Sequence, residues 1–237
     1  MNKYLIPRNY WRYVRDNYLP RAKKSYSERG EDLIVAAFFK KLGITDPTYL
    51  DVGTHHPIYS NNTYLFYTRG CHGVCIEPNP DLFTKIKKWR PRDICLNVGM
   101  GEQVNSALDY YVLSATTRST FNKIEADRLI QSGFCKLEER ISVPVTTLDI
   151  IIEQYFSAKS PDFISIDTEG YDEQILRSID LNKHRPAIFC VETLAYKPDG
   201  KEQKIDKVRQ YLENYDYQAY ADTHVNTIFT DNSLLKL

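Results

Sequence analysis

What most restricts the fold of this chain is where its short apolar runs stop. Leu50-Asp51-Val52-Gly53, Val74-Cys75-Ile76-Glu77, Cys95-Leu96-Asn97-Val98-Gly99, Ile164-Ser165-Ile166-Asp167 and Phe189-Cys190-Val191-Glu192 are a few residues each, and each ends on or beside an acid or amide. Runs of this length and composition predict strands buried on both faces. Helical patterns lie between them, at Asp32–Leu42, Asn62–Arg69, Asp81–Trp89, Thr147–Phe156 and Glu173–Ser178. Ser27 ahead of the first pattern reads as its cap, and Gly43 as its stop. Alternation of this kind predicts a parallel sheet covered on both sides. In such a sheet ligands bind beyond the carboxyl ends of the strands. A lone acid at a strand end is more often a turn or cap residue, but here five polar ends fall in register.

The last third adds a helix at Lys201–Asn214 and two short strands, Tyr217–Tyr220 and Thr227–Thr230, too close in sequence for a crossover helix between them. They predict an antiparallel hairpin closing the sheet. The expected fold is therefore α/β: a Rossmann-like, doubly wound sheet of the class I methyltransferase layout, mostly parallel with an antiparallel C-terminal strand. Gly101 to Arg140 is less regular, with an added strand at Leu108–Leu113 and a helical piece at Glu125–Gln131. The expected organisation is a basic, aromatic arm over residues 1–24 and one domain over 25–237, with 101–140 as an insertion on the acceptor side.

With 31 basic and 31 acidic residues the net charge is zero, which argues against nucleic acid as a partner. The arm is the exception, because its basic residues are interleaved with tyrosines. It packs on the body, or it serves a dimer contact or a peripheral membrane contact. No apolar run is long enough for a membrane span, and the N-terminus lacks the apolar core of a secretion signal. Five cysteines form no CxxC pair, so the cytoplasm is the expected compartment.

The tips of the first two strands constrain the cofactor. An acid such as Glu77 after the second strand suits the two free hydroxyls of an adenosine ribose. A dinucleotide would also want G-x-G-x-x-G after the first strand, to meet a pyrophosphate. The chain offers Gly53-Thr54-His55-His56-Pro57 instead. One close-approach glycine fits a ligand without pyrophosphate, namely S-adenosylmethionine, with Asp51 placing its amino-acid end and Gly53 admitting it against the backbone.

These residues also carry a family resemblance. Ser27-Glu28-Arg29-Gly30-Glu31-Asp32, Leu50-Asp51-Val52-Gly53, the Ser60–Tyr67 stretch, Ile76-Glu77-Pro78-Asn79-Pro80 and Ile166-Asp167-Thr168-Glu169-Gly170-Tyr171 resemble the FkbM-type S-adenosylmethionine-dependent methyltransferases. The likeness runs from about Ser25 to Glu192. It departs at Glu28, where many relatives have Gln, and at His55-His56, where many have a small polar pair. With the strand-tip reading, it implies a cofactor site of Glu31, Asp51, Gly53, Glu77, Asn97 and Asp167. It also implies O-methylation, often of sugars or polyketide-derived products, and for this subtype a setting in capsule or other surface-polysaccharide pathways.

A sugar hydroxyl is a poor nucleophile at neutral pH and needs help losing its proton. Two solutions are open. His55 or His56 could act as base, with Asp167 beside the reacting centre; alternatively either imidazole caps a turn or bonds a buried carbonyl. Asp167, Glu169 and Glu192, from adjacent strand tips, could instead hold Mg²⁺ or Mn²⁺, an arrangement similar to that of catechol-type O-methyltransferases; alternatively Glu169 caps the helix after Gly170. For the acceptor, a sugar or nucleotide sugar, the candidates are Tyr59, Asn61, Asn62, Arg118 and Tyr196, with Arg118 or Lys197 facing a diphosphate. A catalytically inactive, cofactor-binding regulatory protein of the same fold is the alternative from another class, and methylation of a non-sugar natural product is the alternative acceptor.

Overall fold

The computed structural model describes residues 23–196 and 202–235; most of the N-terminal arm and Lys197 lie outside them. In chain order the elements are α1 (Glu31–Leu42), β1 (Tyr49–Val52), α2 (Tyr64–Thr68), β2 (Gly73–Ile76), α3 (Pro80–Trp89), β3 (Ile94–Leu96), β4 (Gly99–Met100), β5 (Asn105–Leu113), α4 (Lys123–Gln131) and β6 (Leu137–Thr146). They continue with α5 (Leu148–Tyr155), β7 (Phe163–Ile166), α6 (Asp172–Leu176), β8 (Ile188–Glu192), β9 (Leu194–Tyr196), β10 (Glu202–Lys204), α7 (Asp206–Glu213), β11 (Tyr217–Asp222) and β12 (Asn226–Asp231).

Seven strands form the central sheet in the order β11-β12-β8-β7-β1-β2-β3. Pairing is parallel from β8 through β7, β1 and β2 to β3, while β12 is antiparallel to both β8 and β11. This is the expected doubly wound α/β sheet of class I methyltransferases, with the strand order reversing between β1 and β7.

Strand parity divides the core. Leu50, Val52, Ile164, Ile166, Phe189 and Val191 pack on one face against Ile151 and Ile152 of α5 and Val208 and Leu212 of α7. Tyr49, Phe163, Ile188 and Cys190 face the other way, against Val35, Phe38 and Phe39 of α1 and Phe66 of α2. β1, β2, β7 and β8 are buried throughout, as expected of strands covered on both sides.

Two elements differ from expectation. The helix expected from Lys201 begins at Asp206; Glu202–Lys204 instead pairs antiparallel with Leu194–Tyr196. The stretch after Gly101 is more regular than expected, because β6 joins β4 and β5 in a separate three-stranded sheet. Its buried residues Val143 and Val145 alternate with exposed Ser142 and Pro144. That is a period-two pattern interrupted in sequence by a proline, which a strand tolerates where its N–H is not needed. No helix among the described residues is long and apolar enough to cross a membrane.

Candidate active site

A cavity of about 350 Å³ opens at the carboxyl ends of β1, β2, β7 and β8. Gly53, Glu77, Asp167 and Glu192 line it from those four strand tips, and Arg118 lines it from the segment after β5. Glu77 is 3% exposed, and its carboxylate accepts backbone N–H groups of His55 (2.9 Å) and Asn79 (2.8 Å). Burial pushes its pKa up to about 7, the two amides opposing. Asn97 does not line the cavity. Its amide donates to the carbonyls of Glu77 and Pro78, both at 2.9 Å, and so holds the turn that carries Glu77.

The turn after β1 folds tightly. Gly53 has φ 78°, and a Cβ there would stand 1.9 Å from the Asp167 carbonyl oxygen. The close approach that requires glycine is thus to the neighbouring strand. His55 (φ 51°) and Ser60 (φ 48°) continue in the left-handed region, a clustering of unfavourable backbone typical of ligand sites. His55 lines the cavity with Nε2 3.0 Å from Thr116 Oγ1. Its pKa is lowered, by burial first and then by His56 and Lys85. His56 is placed otherwise. Its Nδ1 accepts the N–H groups of Ile58 (3.1 Å) and Tyr59 (2.9 Å), so it caps the turn, and exposed Tyr59 stacks against it. Neither lines the cavity, and the structure gives the histidine position beside the site to His55.

Asp51 is likewise displaced from its expected post. Strand parity turns it toward the α1–α2 face, where its Oδ2 accepts from Thr63 Oγ1 (2.8 Å), Asn61 Nδ2 (3.0 Å) and Arg90 Nη1 (3.4 Å). Arg90 is fully buried and also donates to Asp93 at 2.6 Å. Asn61 is part of this hub, its Oδ1 accepting the N–H groups of Thr63 and Tyr64. Asp51 and Asn61 therefore brace the cavity wall from behind. Asn62 does line the cavity, its amide held by Ser165 Oγ (3.1 Å).

Across the cavity, carboxylate oxygens of Asp167, Glu169 and Glu192 lie within 4.8 Å of one another. Arg118 Nη1 meets Glu169 Oε2 at 2.6 Å. The pKa values of Glu169 and Glu192 are raised by burial first and then by the charge of Asp167. That of Asp167 is raised by burial despite Arg118. The helix after Gly170 starts at Asp172 with no side-chain cap; Asp172 instead accepts from Thr168 N (3.1 Å) and Gly170 N (3.3 Å) and fixes the turn ahead of it. Glu169 is thereby left to the cavity, with φ 53°.

Glu31 stands outside the cavity. It is fully buried and accepts from Arg29 N (2.9 Å), Thr223 Oγ1 (2.6 Å) and Asn226 Nδ2 (3.2 Å). Burial opposes its ionisation, but these hydrogen bonds outweigh it and lower the pKa. Its work is to tie the Glu28–Gly30 segment to the turn before β12. Tyr196 is on β9, but its side chain lies outside the described residues. Sequence reasoning missed Glu28, Arg29 and Asn226, all of which line the cavity, and the aromatic wall of Tyr110, Phe121 and Tyr171. No spacing or motif marks Asn226.

The pattern of the methyltransferase FkbM domain matches residues 51–219, most of the chain and all four strand tips. The chain belongs to the FkbM methyltransferase family. FkbM membership and the sheet order make it an S-adenosylmethionine-dependent methyltransferase. No curated protein matches the chain. Similar solved structures include a putative O-methyltransferase from Klebsiella pneumoniae (12% identity, TM-score 0.45, 96% of this chain and 92% of that one). A TehB-like S-adenosylmethionine-dependent methyltransferase from Corynebacterium glutamicum has 11% identity and a TM-score of 0.44, covering 94% and 96%. An O-methyltransferase from Bacillus cereus, in complex with S-adenosylhomocysteine, has 11% identity and a TM-score of 0.41, covering 92% and 93%.

Proposed function

We propose that this FkbM protein transfers a methyl group from S-adenosylmethionine to a hydroxyl of a sugar. The observation that carries the reading is the joining, in one cavity, of Glu77 with His55 and the three acids. When bound, the cofactor supplies an electrophilic methyl on a sulfonium. Glu77 accepts the ribose hydroxyls with the lone pairs its two amides leave over, and Ile76, Val98, Met100 and Phe121 give the adenine an apolar bed. His55, kept neutral by its surroundings, takes the proton of the acceptor hydroxyl at a ring nitrogen as the carbon–oxygen bond forms. Loop residues Thr116 to Arg118 and Asn62 form the acceptor side, which assigns the 101–140 segment the role of acceptor wall.

The acceptor is read as a sugar because the polar residues Thr116, Ser119 and Asn62 line the cavity. A diphosphate carrier has less support, since Arg118 pairs with Glu169. A cytoplasmic role in surface-polysaccharide assembly agrees with this chemistry. The three acids also form a donor set for Mg²⁺ or Mn²⁺.

The test is labelled S-adenosylmethionine with a panel of free and nucleotide-linked sugars. Transfer to a sugar oxygen is expected, and His55→Asn should lower kcat by roughly 10²- to 10⁴-fold with cofactor affinity kept. Cofactor binding without transfer to any acceptor would favour a regulatory binding protein.

A further inference from the structure

Asn226 opens β12 directly opposite Glu192 of β8 in antiparallel register. Directly opposed residues project from the same face of a sheet as neighbours. Asn226 is 3% exposed, and its Nδ2 donates to Glu31 Oε1 at 3.2 Å. Glu31 also accepts from Thr223 and from the backbone of Arg29, so it acts as an acceptor on every side. It therefore dictates which way the Asn226 amide points. The amino group faces Glu31, and the carbonyl Oδ1 is left buried with no donor among the described residues. A buried acceptor left unmade costs about 1–3 kcal/mol. The cavity that Asn226 lines also holds the carboxylates of Asp167, Glu169 and Glu192, with the Arg118 guanidinium paired to Glu169.

Two independent deficits thus meet in one cavity: three carboxylates short of positive charge, and, opposite Glu192, a carbonyl short of a partner. Resting on the methyl-transfer reading of this cavity, we propose that Asn226 Oδ1 joins Asp167, Glu169 and Glu192 in binding one hard divalent cation, Mg²⁺ or Mn²⁺, and that Glu31 is the residue that orients it. The donors are all oxygen, the preference of such ions over softer metals. Oxygens on opposite sides of Mg²⁺ stand about 4.0–4.2 Å apart, twice a bond of about 2.0–2.1 Å, and those about a larger hard cation somewhat farther. The three carboxylate oxygens lie within 4.8 Å of one another, so small side-chain shifts draw them onto one ion. Arg118 takes one oxygen of Glu169, and a carboxylate has a second to offer. When bound, the ion supplies positive charge where the acceptor hydroxyl loses its proton.

The experiment is a titration of the full-length protein with Mn²⁺, without cofactor or acceptor, following the free-ion signal by electron paramagnetic resonance. One Mn²⁺ per chain, displaced by Mg²⁺, is expected. Glu192→Gln and Asn226→Leu should each weaken binding by roughly tenfold or more, and Glu31→Gln, which lets the Asn226 amide turn over, by roughly 10- to 100-fold. Absence of Mn²⁺ binding by the parent protein at millimolar ion overturns the site. Parent-like binding by Asn226→Leu overturns the role of Asn226, and parent-like binding by Glu31→Gln overturns the orienting role, which keeps the proposal testable if the leucine variant does not fold. Calorimetry with S-adenosylhomocysteine separates the two readings: its binding in the absence of Mn²⁺ binding removes the cation site and leaves the methyltransferase reading standing.

Discussion

Glu77 is held by two backbone amides and buried, and its position makes one group sensitive to both substitution and pH. Glu77→Gln puts an amino group against one of those N–H donors and, under the proposed cofactor role, weakens the grip on ribose. Each charge-assisted bond lost costs about 1.5–3 kcal/mol, so calorimetry should find S-adenosylhomocysteine binding weaker by roughly 10- to 150-fold. With its pKa pushed up to about 7 in the free protein, the carboxyl is the ionised acceptor above that pH and protonated below it. Cofactor affinity should therefore be constant above about pH 7 and fall as pH drops below it. A flat profile from pH 5 to 8 would count against the assignment. At Gly53 the effect is steric. Gly53→Ala would drive a methyl into the Asp167 carbonyl and force an alanine into the left-handed region, itself worth about 1–2 kcal/mol. A lower melting temperature and loss of cofactor binding are expected together. Gly53 was legible in the sequence as a glycine that something must approach closely, but what approaches it was not. That partner comes from a strand more than a hundred residues away.

The segment from β1 to α2 shows how a cavity wall is braced by residues that do not line it. Arg90, at the end of α3, reaches under the turn to Asp51, Asn61 and Thr63 while pairing with Asp93. Removing one partner of a buried ion pair leaves the other uncompensated, at about 3–5 kcal/mol. Asp51→Ala should accordingly lower the melting temperature by roughly 6–20 °C in a protein of this size, with Asp51→Asn milder. Were Asp51 a ligand to the cofactor instead, the alanine variant would melt like the parent and lose affinity alone. Helix caps depend on the same placement of neighbours. Asn79, preceding Pro80, caps α3 through the N–H groups of Asp81 and Leu82. At α6 the sequence offers Glu169 as a cap, but the backbone there, with φ 53°, sends that side chain to the cavity, and the helix begins without a side-chain cap.

For the molecule as a whole, ligand linkage gives a measurement that needs no acceptor. A ligand at a hundred times its Kd stabilises by about 2.7 kcal/mol, so saturating S-adenosylhomocysteine should raise the melting temperature by roughly 5–11 °C, and NAD should not. The order of elements, the parallel core with its closing hairpin and the gathering of acids at one edge could all be read from the chain, because each rests on local periodicity or on where an apolar run ends. Of the residues named from sequence, Gly53, His55, Asn62, Glu77, Arg118, Asp167, Glu169 and Glu192 line the cavity. The direction in which Asp51 points, the turn-capping work of His56 and the presence of Asn226 beside Glu192 could not be. Those depend on strand parity, on which face α1 covers, and on an antiparallel partner whose register is set by packing at a distance. Local sequence carries the propensity of a segment; the neighbour that a side chain finally meets is chosen by how the layers dock.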